Sequence, residues 1–136
     1  MAAKFLIDTN IWIHYFKKKY GVGDKMALVS ADDIAVSEIT IAELTFGAYH
    51  SSNFFKHIKE VYDVRDNFLL LPISNSLDEY GRIRNKMCRQ GLSVENFDLL
   101  IAATALHYGL ILVTENIKHF DAIPDLRIEN WANRML

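Results

Sequence analysis

Strand-length apolar runs at 5–7, 34–36, 68–73, 110–114 and 126–129 alternate with longer stretches in which apolar residues recur at helical spacing. That alternation limits the fold more than any other feature. A strand, a helix and a further strand return the chain to the same sheet in parallel, through a right-handed crossover. The runs are continuously apolar, as in strands buried on both faces. The predicted architecture is α/β, a three-layer α/β/α sandwich with a central parallel sheet of four to five strands, in a single domain over residues 1–136. A chain of 136 residues that is 51% hydrophobic and 24% charged suits one core.

Bulk properties exclude some classes. A formal charge of −2 argues against holding nucleic acid by overall electrostatics, so any such contact is expected to be local. The single cysteine, Cys88, forbids an internal disulfide and suits a reducing compartment. Asp8 interrupts the only early apolar run, which argues against a secretory signal. His107, Tyr108 and Gly109 break the apolar stretch at 99–113, leaving it too short to span a bilayer. The expectation is a cytoplasmic protein with no membrane association.

The first run stops at Asp8. Thr9 and Asn10 suit the cap of a helix predicted over 10–20, which carries Ile11, Trp12, Tyr15 and Phe16 and ends in three lysines. In open α/β sheets ligands bind at the carboxyl ends of strands, so Asp8 serves either a site or its own turn. A helix over 39–49, opened by Ser37 or Thr40, places Glu43 among small and apolar neighbours. A carboxylate there is either paired or cation-bound, or turned to solvent. Phe54, Phe55, Ile58, Val61 and Tyr62 form a stripe for core or subunit contact. Ser74 opens a helix to Gln90 whose Leu77, Tyr80, Ile83 and Met87 turn inward, with Gly91 as its stop. Its Arg82, Arg84, Lys86 and Arg89 make a solvated face or a rim for phosphates. The following helix is apolar almost all round and must lie centrally. Asp98 is the sole charge at its head, where the helix dipole favours an acid and the sheet edge is close.

Each acid therefore follows a buried strand or heads a buried helix, and Glu115 and Asn116 come directly after the fourth run. A parallel sheet can gather such positions at one edge. Clustered carboxylates raise one another's pKa, and a hard divalent cation relieves that repulsion through oxygen ligands. No His pair or Cys set stands at zinc spacing.

The segments Leu6-Ile7-Asp8-Thr9-Asn10, Ser37-Glu38-Ile39-Thr40-Ile41-Ala42-Glu43-Leu44, Asp98-Leu99-Leu100-Ile101-Ala102-Ala103 and Leu112-Val113-Thr114-Glu115-Asn116 resemble the PIN-domain ribonucleases. The likeness is closest to VapC toxins of bacterial toxin–antitoxin pairs and runs nearly end to end. It implies an endoribonuclease dependent on Mg²⁺ or Mn²⁺, with Asp8, Glu43 and Asp98 as metal-binding acids and Asn116 as the fourth catalytic position. Many relatives have Asp there, so Asn116 implies one firmly held ion, with Glu115 as a compensating neighbour. Thr114 and Asn10 are implied to support the acids from behind. Metal-activated water would attack a phosphodiester of structured RNA, chiefly tRNA. The resemblance also implies a VapB-type antitoxin, with Trp12, Tyr15, Phe16, Phe46 and Tyr49 as groove candidates, and a homodimer. Two other readings compete: a non-catalytic PIN-like interaction module, and a phosphatase using Asp8 as nucleophile. The second of these wants an Asp where Asn10 stands.

Overall fold

The computed structural model describes residues 2–136. β1 (Phe5–Ile7), β2 (Ile34–Ser37), β3 (Leu69–Leu71), β4 (Ile111–Val113) and β5 (Ile128–Glu129) form one sheet, every pair parallel, in the order β3-β2-β1-β4-β5. β1 is central, with Leu6 in register with Ala35 on one side and Leu112 on the other. The chain builds outward from β1 through β2 and β3, then returns to add β4 and β5 on the opposite side. The order therefore reverses between β1 and β4, and the crevice of such a sheet opens at the carboxyl ends of those strands.

Helices cover both faces. α1 (Thr9–Phe16), α2 (Val22–Ala27), α3 (Glu38–His50) and α4 (Phe54–Asn67) pack on one side; α5 (Leu77–Arg89), α6 (Asn96–Tyr108) and the short α7 (Ile117–Phe120) pack on the other. Successive strand residues point to opposite faces. Leu6, Ala35 and Leu112 thus meet α5 and α6, while Ile7, Val36 and Val113 meet Ile11, Trp12, Leu44 and Val61. α6 is buried through Leu99 and Ile101–Ala105 and ends at Gly109, whose φ of 66° is left-handed. Among the described residues, no helix is long and apolar enough to cross a membrane.

Several elements differ from the sequence expectation. α1 ends at Phe16, not at residue 20, because Lys18 and Tyr20 take φ of 55° and 59° and break the helical ladder. The three lysines therefore lie in the following turn. Residues Ser74–Ser76 form a 3₁₀ turn ahead of α5, which shifts the phase so that Ser76 is buried and Leu77 exposed. On α4 the buried positions are Ile58, Val61 and Val64, with Phe54 packed beside them. Phe55 is 85% exposed and Tyr62 also faces solvent, since each lies one residue, about 100° around the helix, past that stripe.

Candidate active site

Asp8 ends β1 and caps α1. Its backbone N–H continues the sheet by donating to the Val113 carbonyl at 2.9 Å. Its side chain is only 3% exposed. Oδ1 accepts from the Thr9 amide at 2.8 Å, and Oδ2 accepts from the Thr114 hydroxyl, at the end of β4, at 2.7 Å. Both bonds favour the ionised carboxylate, yet burial outweighs them and pushes its pKa up from 3.8 to about 6. The charges of Asp98 and Glu43 add to that rise.

Glu43 comes from α3, one turn into the helix that Ser37 opens by accepting from the Ile39 amide. Its Oε1 accepts from the Thr9 hydroxyl at 2.6 Å. Thr9 spends its one hydroxyl proton on that bond, so its oxygen accepts from the Thr40 hydroxyl 3.0 Å away. Partial burial raises the Glu43 pKa above its ordinary value, and Asp98 and Glu95 raise it further. Asp98 stands in the first turn of α6, with Oδ2 3.2 Å from His119 Nδ1.

Asp8 therefore feels the charges of Asp98 and Glu43, and Glu43 that of Asp98, and among the described residues none of the three is paired with lysine or arginine. No three of the described His, Cys, Asp or Glu side chains are drawn onto one point as a finished cage. The donor set is all carboxylate oxygen, with hydroxyls behind it, and suits a hard divalent cation rather than zinc.

The remaining candidates divide. Thr114 and Asn10 lie behind Asp8: Asn10 Nδ2 is 3.4 Å from the Thr114 hydroxyl oxygen, and Asn10 Oδ1 accepts from the Glu115 amide at 3.2 Å. Asn116 is exposed at the sheet edge and donates its amide to Thr114 Oγ1 at 3.0 Å. Glu115 is turned away from the acids, since both its oxygens are held by Arg134 at 2.6 and 2.7 Å and one also by His14 at 2.8 Å. Arg134 first, and His14 after it, hold that carboxyl down at about 2.

Among the groove candidates, Trp12 is a correction. It is 0% exposed, packed against Tyr15, Phe16 and Phe68, and belongs to the core. Its apolar bulk at helical spacing gave no means of telling inward from outward. Phe46 and Tyr49 are each 69% exposed, and Tyr15 and Phe16 are partly so. A groove of about 170 Å³ between α1, α3 and α4 is lined by Ile13, Phe16, Gly47 and Val61 and reaches Glu43.

Thr9, Thr40 and His119 were missed by sequence reasoning. Thr9 read as a cap residue, and its second role depends on where α3 lands. For His119 the only available signal was a histidine six residues beyond the fourth strand.

The PIN domain family profile matches residues 5–126 of the chain. Ribonuclease VapC1 of Haemophilus influenzae (strain R2866) is 34% identical over 132 residues, covering 94% of this chain and 98% of that protein. A relative from Shigella flexneri described as a tRNA(fMet)-specific endonuclease VapC is 31% identical over 130 residues, covering 95% and 98%. Among solved structures, DNA-bound VapBC from Salmonella typhimurium superposes with a TM-score of 0.88 at 31% identity, covering 96% of this chain and 99% of that one. VapBC-1 from nontypeable Haemophilus influenzae gives 0.82 at 30% identity, covering 93% and 97%.

Proposed function

The chain belongs to the PIN-domain family, and from that premise we propose that it is a divalent-metal-dependent endoribonuclease, the toxin of a VapBC-type pair. The observation that carries the reading is Asp8: a buried carboxylate at the switch point of the sheet, faced by two further acids and, among the described residues, by no basic side chain. Such a group destabilises the fold unless it binds a cation or a proton.

Asp8, Glu43 and Asp98 would hold the ion, Mg²⁺ or Mn²⁺. When bound, it supplies charge neutralisation and Lewis acidity for attack of water on a phosphodiester. The chain's own residues prepare that chemistry. Thr114 and the Thr9 amide fix the two oxygens of Asp8, and the Thr9 hydroxyl fixes Glu43. The side-chain carboxamide of the exposed Asn116, at the rim, would hydrogen-bond a phosphate or its attacking water. The names of the relatives support structured RNA, tRNA foremost, as substrate. The VapBC complexes among the structural neighbours support an antitoxin partner, which would lie along the groove lined by Ile13, Phe16, Gly47 and Val61.

The test is cleavage of end-labelled tRNA by the purified chain in Mg²⁺. Asp8→Asn, Glu43→Gln and Asp98→Asn should each abolish cleavage and the growth arrest that expression causes, with circular dichroism unchanged. Parent-level cutting by Asp8→Asn or Asp98→Asn would overturn the reading.

A further inference from the structure

We propose that Arg134 is a positioning residue for the acidic cluster: the C-terminal segment clamps Glu115 and, through it, the end of β4 and the Asp8 carboxylate. The activity arm of the test rests on the nuclease reading; the metal-binding arm does not.

The tail reaches the site through contacts outside both cores. The Asn133 amide donates to the Tyr20 carbonyl at 2.8 Å, and the Arg134 guanidinium lies 4.1 Å from the centroid of the Tyr20 ring. The turn after α1 is shaped for this docking. Lys18 and Tyr20 hold φ of 55° and 59°, which non-glycine residues keep only where surrounding contacts enforce it. Gly21 follows with φ of 70°, and a Cβ there would lie 2.7 Å from Leu136 Cδ1, so the last side chain rests against bare backbone.

From that anchor Arg134 forks onto Glu115, Nε to Oε2 at 2.6 Å and Nη2 to Oε1 at 2.7 Å. Paired charge-assisted bonds of this kind fix geometry as well as add energy. Residue 115 is then gripped from α1 at two points one helical turn apart. His14 Nε2 lies 2.8 Å from Oε1, and Asn10 Oδ1 accepts the Glu115 amide at 3.2 Å. Asn10 Nδ2 approaches the Thr114 hydroxyl oxygen at 3.4 Å, and that hydroxyl donates to Asp8 Oδ2 at 2.7 Å. The same oxygen accepts the Asn116 amide at 3.0 Å. A continuous set of contacts thus runs from the tail to the carboxylate. Groups behind a ligating carboxylate govern its orientation, and their loss costs affinity or activity without unfolding the protein.

The experiment compares Arg134→Met, which keeps the stem but removes the forked donors, with Arg134→Lys, Glu115→Gln and the Arg134→Met/Glu115→Gln double variant. Mn²⁺ binding is read by calorimetry, and kcat and KM are read on tRNA. Arg134→Met should weaken Mn²⁺ binding and lower kcat, each about tenfold, with KM and melting temperature little changed. Arg134→Lys should recover part of both losses. The double variant should be no worse than Arg134→Met, because the two residues act along one path. Parent-level Mn²⁺ binding and kcat in Arg134→Met would overturn the proposal. So would losses that add in the double variant, or that merely track a lowered melting temperature. If the parent cleaves no RNA while Arg134→Met still weakens Mn²⁺ binding, the nuclease reading fails and the clamp stands.

Discussion

The Thr9 hydroxyl donates to Glu43 Oε1 at 2.6 Å, a bond joining residues 34 apart in sequence. The Thr9 amide meanwhile donates to Asp8 Oδ1, so one residue orients two acids from two elements. Thr9→Val preserves shape and helix entry but leaves Glu43 Oε1 and the Thr40 hydroxyl without this partner. Stability should fall by about 1 kcal/mol, the usual worth of a partly buried hydrogen bond. Mn²⁺ affinity should fall by about tenfold. Calorimetry and urea unfolding of the same preparation check both, and unaltered Mn²⁺ affinity would count against a shared site.

Asp8 sets an unusual pH dependence. Its pKa is raised to about 6, so the folded chain binds this proton more tightly than the unfolded chain does. Its contribution is therefore complete below about pH 4 and is lost as pH rises through 6, by roughly 3 kcal/mol for a shift of about two units. Glu43 is raised and acts in the same direction. Glu115, lowered to about 2, has the opposite sign and costs stability only as pH falls below its ordinary range. Metal-free protein should thus be most stable near pH 4–5. Urea midpoints in chelator should decline from pH 5 to 8 for the parent and change much less for Asp8→Asn. A flat parental profile would contradict the placement of Asp8.

The sequence displayed the fold more fully than the site. Continuous apolar runs such as 5–7 and 110–114 have no polar face to offer solvent, so a covered parallel sheet followed from them directly. Asp8, Glu43 and Asp98 could be picked out because each charge interrupts an apolar context. What stayed hidden depends on relations between elements. Glu115 looked available to the acids until the tail, 19 residues on, supplied Arg134. Thr9 gave no sign of reaching Glu43, because that contact exists only once α1 and α3 pack. Trp12 and Phe46 look alike in sequence, and only the docking of α1 on the sheet separates a core indole from an exposed ring.

A divalent ion should relieve the strain that Asp8 imposes. An ion that binds only the folded state stabilises it by about 2.7 kcal/mol at a hundredfold excess over Kd. At pH 7.5, Mn²⁺ should raise the melting temperature of the parent, and chelator should reverse the rise. The effect should shrink at pH 5, where protons occupy Asp8 in place of the metal. Asp98→Asn should lose most of it, since Asp98 adds to the electrostatic load on both other acids. Equal stabilisation of Asp98→Asn would place the ion elsewhere.

The aromatic residues around α1 and α3 should separate into two kinds by mutation. Trp12 is fully buried against Tyr15, Phe16 and Phe68, so Trp12→Ala should cost about 3–5 kcal/mol through lost contact and the cavity left behind. Phe46 and Tyr49 are mostly in solvent, and their alanine variants should stay within about 0.5 kcal/mol of the parent. Exposed rings on α3, outside the groove that reaches Glu43, have little to do for the isolated chain, but they suit the apolar face of a partner segment. Phe46→Ala and Tyr49→Ala should therefore weaken capture of a co-expressed antitoxin while tRNA cleavage by the free chain is kept. If both variants bind the antitoxin as tightly as the parent does, the partner covers the acids from a different side.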